Sequence, residues 1–137
     1  MNNYSHAPNG RIWLCWNQNV WNYTLLESSA QQISIKATNA GSLQLYLTIV
    51  YGSNWQRETE QLWSLLIQIN QHFIDGPWSV MGDFNTARFC YEKIGGKPLA
   101  FAKLTPFNNC INAYELSDLK HIGHFGPGTT ILIALPE

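Results

Sequence analysis

"LQLYLTIVY", residues 43–51, decides the fold. At a period of two, Leu43, Leu45, Leu47, Ile49 and Tyr51 share one face, while Tyr46, Thr48 and Val50 share the other. A half-wetted strand alternates apolar with polar. This one is largely apolar on both faces, as a central strand covered on both sides must be. Upstream, "QQISIKA" (31–37) sends Ile33 and Ile35 one way and Gln32, Ser34 and Lys36 the other. That alternation predicts an antiparallel strand with one wet face, turned into its neighbour by Asn39-Ala40-Gly41. "YTLLES" (23–28) and "RIWLCW" (11–16) are β-branched or aromatic runs and predict two more strands.

Downstream the period changes. Leu62, Leu65, Leu66, Ile69 and Phe73 keep helical spacing, Trp63 flanks them, and Asp75-Gly76-Pro77 stops the helix. "WSVMG" (78–82) is a short buried strand. A loop containing "EKIGGKP" (92–98) leads to a second helix, with Thr105 as N-cap, Pro106 at N1, and Phe107, Cys110, Ile111 and Tyr114 on one face. "LSDL" (116–119) returns as a strand. Beyond Phe125, "GPGTTILIALPE" has no periodicity that joins it to the rest. The expected organisation is a polar tail over 1–10, one α/β domain over 11–125 with a mixed sheet and helices packed on one face, and an unrelated tail over 126–137.

Composition narrows the function classes. The 137 residues suit one domain, and 45% hydrophobic against 12% charged residues predicts a packed core under an unusually apolar surface. Such a surface suits an extensive interface or a piece of something larger. A net charge of −1 gives no footprint for a tight nucleic-acid binder. Cys15, Cys90 and Cys110 have neither zinc-ligand nor disulfide spacing and are expected to be reduced and buried. "MNNYSHAPNGR" has no apolar signal-peptide core, and "ILIAL" (131–135) is too short to span a bilayer, so a soluble, intracellular chain without a membrane partner is expected.

Chemistry concentrates in "WSVMGDFNTAR", 78–88. If strands 43–51 and 78–82 neighbour each other, their C-terminal ends lie on the edge where open α/β sheets bind ligands. Tyr51 ends the first, and Asp83 and Asn85 follow the second, sharing a face two residues apart. A carboxylate accepts a proton, an amide orients water or an anionic oxygen, and a phenol donates to phosphate oxygen. That trio suits attack of water on a phosphodiester. A plain strand-end turn with Asx hydrogen bonding accounts for the same letters.

Taken with "IVYG" (49–52), a helix containing Leu62-Trp63, "WSVMGDFN" (78–85), "EKIGGKP" and "LSDL", the chain resembles the endonuclease/exonuclease/phosphatase family over about residues 10–125. Within it the chain is most similar to the apurinic-endonuclease-like domain that opens plant LINE-type (non-LTR) retrotransposon polyproteins ahead of their reverse transcriptase. The resemblance implies a partial four-layer α/β sandwich, DNA as the parent substrate, and Mg²⁺ or Mn²⁺ as cofactor. It assigns the water and the scissile phosphate to Asp83 and Asn85, phosphate contact to Tyr51, and a supporting role to Asp118.

The departures set a second expectation. The family's metal-binding glutamate lies upstream of the first matched segment, and its Ser-Asp-His segment has no counterpart. His124-Phe125 runs into "GPGTT" where the family has Thr-Trp, which reads as a truncated or misjoined frame. His6 and His72 are expected in solvent, His121 and His124 beside the strand carrying Asp118, and Glu27 belongs to the matched segment rather than the metal site. Trp13, Trp16 and Trp63 are expected in the core rather than as base-stacking platforms. The chain is therefore expected to be an inactive endonuclease fragment that self-associates through exposed sheet edges. The alternatives are an active phosphoesterase for a small substrate and a non-enzymatic binding remnant.

Overall fold

The computed structural model describes residues 1–73, 75–90, 101–119 and 129–134. Six strands and two helices follow in the order β1 (Trp21–Ser28), β2 (Gln32–Asn39), β3 (Gln44–Tyr51), α1 (Gln56–Asn70), β4 (Trp78–Asp83), α2 (Phe101–Ala113), β5 (Ser117–Asp118) and β6 (Thr129–Ala134). They form a mixed sheet of order β1-β2-β3-β4-β6-β5, in which β3 and β4 are parallel and the other neighbours antiparallel. The architecture is α/β. None of the described helices is long and apolar enough to cross a membrane.

The two faces of β3 are covered differently. Tyr46 and Val50 join Trp78 and Val80 of β4 under Leu62, Trp63, Leu66 and Ile69 of α1 and Phe107, Cys110 and Ile111 of α2. The rings of this layer touch in two groups: Phe73 lies 4.7 Å from Tyr46 and 4.9 Å from Trp78, and Phe107 lies 4.8 Å from Trp63 and 5.0 Å from Phe84 between centroids. On the opposite face Ile33, Ile35 and Ala37 pack with Ile12, and Leu45, Leu47, Ile49, Met1 and Leu14 lie half-buried against them. The covering there is the N-terminal segment, not a helix.

That segment departs from expectation. Residues 11–16 form no strand; a single bridge joins Asn2 to Trp13. Nor is 1–10 a loose tail. Asn3 is fully buried, its Nδ2 donates to the Ser29 and Ala30 carbonyls, and its Oδ1 accepts from the Ile12 amide. One buried amide thus ties the segment to the β1–β2 turn and lays Ile12 on the sheet. Ile12 faces inward, so its neighbour Trp13 is turned outward and is 62% exposed, against the core placement predicted for it.

The wet face expected for β2 is partly exposed at Lys36 but dry towards the start of the strand. Gln32 and Ser34 are completely buried. The Trp78 indole N–H donates to Thr48 Oγ1 at 2.9 Å, Thr48 and Ser34 hydroxyls meet at 2.8 Å, and Ser34 Oγ donates to Gln32 Oε1 at 2.7 Å. The hydroxyls of Ser34 and Thr48 and the Trp78 indole satisfy one another, which is why they tolerate burial beside the helix layer, while Gln32 Nε2 is buried without a hydrogen-bond partner among the described residues. Periodicity reports polarity, and here the polar side chains partner each other rather than water.

Three further differences have local causes. Helix α2 begins at Phe101, so Pro106 lies inside it, while Thr105 Oγ1 bonds back to the Phe101 carbonyl at 3.0 Å instead of capping. Leu104 extends the buried stripe of Phe107, Cys110 and Ile111 by one turn, and that packing outweighs the hydrogen bond Pro106 removes. Cys15 and Cys90 are exposed, and only Cys110 among the three is buried. Thr129–Ala134, for which no element was expected, pairs antiparallel with both β4 and β5. The "EKIGGKP" loop, His121 and His124 lie outside the described residues.

The buried hydroxyl relay makes a direct prediction. Thr48→Val keeps the shape but strands the Trp78 indole N–H, which is itself buried. Urea denaturation is expected to show a loss of about 1–3 kcal/mol, the cost of one orphaned buried donor. An unchanged midpoint would refute the relay.

Candidate functional site

The parallel pairing of β3 with β4 sets the ends of both strands level. Their register runs Tyr46 with Trp78 through Tyr51 with Asp83, so the phenol and the carboxylate leave the sheet side by side at the C-terminal edge. Two glycines permit the approach. Gly82 has φ +136°, and a Cβ there would run into the Val50 carbonyl; a Cβ on Gly52 would meet the Phe84 carbonyl. No side chain fits at either place, which explains why the acid follows a glycine.

Past the strands the chain turns back. Gly52 N donates to the Asp83 carbonyl at 2.7 Å, and Asn85 Nδ2 donates to the Gly52 carbonyl at 2.6 Å. Asp83 Oδ1 accepts from the Asn85 amide at 2.9 Å, and Asn85 has φ +48°, which Asn tolerates better than most residues. Phe84 between them is buried against Trp63 and Phe107. Tyr51, Asp83 and Asn85 are thus gathered, but the amide nitrogen of Asn85 and one carboxylate oxygen of Asp83 are engaged in an Asx-type turn. The other Asp83 oxygen and the Asn85 amide oxygen accept no hydrogen bond among the described residues, and the Tyr51 ring is half-buried against the Ile12 cluster.

Asp118 stands apart. Through β6 it is level with Val80 rather than Asp83, two strands and so roughly 10 Å across the sheet from β4. Its Oδ2 pairs with Arg88 Nη1 at 2.7 Å, with the acid 59% exposed. An ion pair so open contributes at most about 1 kcal/mol. Sequence reasoning passed over Arg88 and Gly52 because neither role has a local signature. Arg88 reaches Asp118 across thirty residues, and Gly52 acts through its carbonyl.

The remaining candidates are not assembled here. Among the described residues no three His, Cys, Asp or Glu side chains come together to hold a metal ion. Among the described residues the strand ends bring together a single carboxylate, that of Asp83. Glu27 lies on edge strand β1, and His6 and His72 are exposed. Burial pushes the Cys110 thiol up to about 12, so it stays protonated and is no nucleophile. No protein-family model matches the chain, and no curated protein matches it.

The turn can be tested through Asn85. Replacing it with Gly keeps the left-handed backbone and loses one hydrogen bond, whereas Ala also strains the backbone. Asn85→Ala is expected to cost about 1 kcal/mol more than Asn85→Gly in urea denaturation. Equal costs would contradict the geometry of the strand end.

Proposed function

We propose that this chain is a piece of a phosphodiester-cleaving domain of the endonuclease/exonuclease/phosphatase type, similar to that of plant LINE-type retrotransposons, and that by itself it does not cut DNA. The observation that carries the reading is the level pairing of Tyr51 with Asp83 at the C-terminal edge of two parallel strands, with Asn85 hooked beside them. Order and spacing of the motifs support it. The corresponding architecture is a partial four-layer sandwich, in which a second sheet would cover the face now lying under residues 1–14.

In this reading Asp83 and Asn85 align a water and a phosphate oxygen, and Tyr51 donates to the phosphate. Alignment alone leaves the charge of the transition state uncompensated. The family meets that need with a divalent ion and a histidine, and their segments have no counterpart among these 137 residues. Metal assistance is worth several kcal/mol, and each ~1.4 kcal/mol is tenfold in rate. The chain should therefore fall short of a complete family member by at least ~10³-fold. The test is nicking of supercoiled and abasic-site DNA with Mg²⁺ or Mn²⁺, beside Asp83→Ala. No nicking by either is expected. Metal-dependent nicking that Asp83→Ala abolishes would overturn the claim of inactivity and favour a working phosphoesterase.

The reading also includes self-association through a sheet edge. Strand β1 is unpaired on its outer side among the described residues and exposes Tyr23, Leu25 and Leu26, with only an irregularity between Leu25 and Glu27 to discourage pairing. Size-exclusion chromatography across a concentration series should show mass rising with concentration, and Leu25→Lys should suppress it. A monomer at every concentration would remove this part of the proposal.

A further inference from the structure

Beside the strand ends, on the side of the N-terminal segment, lies a cleft of about 330 Å³ lined by Asn9, Arg11, Gln31, Tyr51, Asn54 and Trp55, among others. That volume is within the range of small-ligand sites. Its chemistry is specific. The Arg11 guanidinium lies 4.9 Å from the centre of the Tyr51 ring and makes no hydrogen bond or ion pair among the described residues. Stacking on a ring orients the plane of a guanidinium while leaving its N–H fork available, and that fork matches a phosphate. Trp55 is 74% exposed, and its indole touches no other ring among the described residues. Gln31, another lining residue, is fixed by bonds to the Ser53 amide and the Glu58 carbonyl, so that part of the cleft wall is held in place.

We infer that this cleft binds a nucleotide, its base stacked on the Trp55 indole and its phosphate held by Arg11. A cation set by an aromatic ring, an open indole and amide groups between them supply the three contacts such a ligand needs: charge, a π face and hydrogen bonds. The inference concerns binding and does not rest on the hydrolytic reading, although Tyr51 supports Arg11 from below. Glu58 also lines the cleft and opposes a phosphate, so the affinity is modest and Glu58→Gln raises it. The same chemistry fits a free mononucleotide or one unit of a single strand.

The test is titration of the full chain with AMP by calorimetry, and with a fluorescein-labelled dT8 by anisotropy at several salt concentrations. Trp55→Ala is expected to weaken binding roughly tenfold to a hundredfold, the usual effect of losing one stacked base. Arg11→Ala should also weaken it and lower the salt slope for dT8 by about 0.7, the share of one phosphate. Arg11→Lys should restore only part, because an ammonium has no planar fork to match the phosphate. Phe101→Ala, equally exposed on α2, is the control and should change nothing. Binding of AMP alone would make the ligand a free nucleotide, and binding of dT8 alone a strand. Binding of neither, or binding that Trp55→Ala and Phe101→Ala leave alike, overturns the inference. Circular dichroism of each variant separates a lost contact from a lost fold, and the nicking assay remains a separate readout of the hydrolytic reading.

Discussion

A single hydroxyl, that of Thr48, fixes how three strands lie against one another. It sits opposite Ser34 on β2 and one step diagonally from Trp78 on β4, and it bonds both. Strand side chains repeat with a period of two, so a slip of one residue would send this hydroxyl to the wrong face and leave the buried Trp78 indole N–H unmet. The register it enforces carries through to the strand ends. Tyr51 stands beside Asp83 because Thr48 stands between Ser34 and Trp78.

The two sheet faces are consequently unequal. The helix side is one core cluster that holds two groups of touching rings, Tyr46, Phe73 and Trp78 in one and Trp63, Phe107 and Phe84 in the other, together with Leu62, Leu66 and Ile111. Aromatic cores of this kind are stiff, since each ring has few torsions and many contacts. The other side is closed by a short irregular segment held through Asn3. That segment also delivers Arg11 to Tyr51. The stable half of the molecule thus positions the candidate site, and the thinly covered half builds the cleft next to it.

The strand end itself serves two descriptions at once. As structure, Asp83, Phe84 and Asn85 make a turn whose acid accepts a backbone N–H, whose ring packs in the core and whose amide grips Gly52. As chemistry, the same turn leaves a carboxylate oxygen, an amide oxygen and a phenol at one edge. The separation of Asp118, engaged by Arg88, narrows that constellation to three residues.

The amino-acid sequence by itself determined the central strand, both helices and the turn at Asn39, because each rests on local periodicity or turn chemistry, whereas Tyr51 meets Asp83 only through the parallel pairing of β3 with β4. It pointed to the wrong surroundings for Gln32 and Ser34, for Trp13, and for the start of α2. Those outcomes depend on what packs opposite: a hydroxyl fourteen residues away, a buried Asn3, a leucine one turn earlier. Likewise only the tertiary structure joined Thr129–Ala134 to the sheet, bound Asp118 to Arg88, and stacked Arg11 on Tyr51 forty residues away. Periodicity tells a residue which way to face; the partner it meets there is a matter of long-range contact, and no local pattern encodes it.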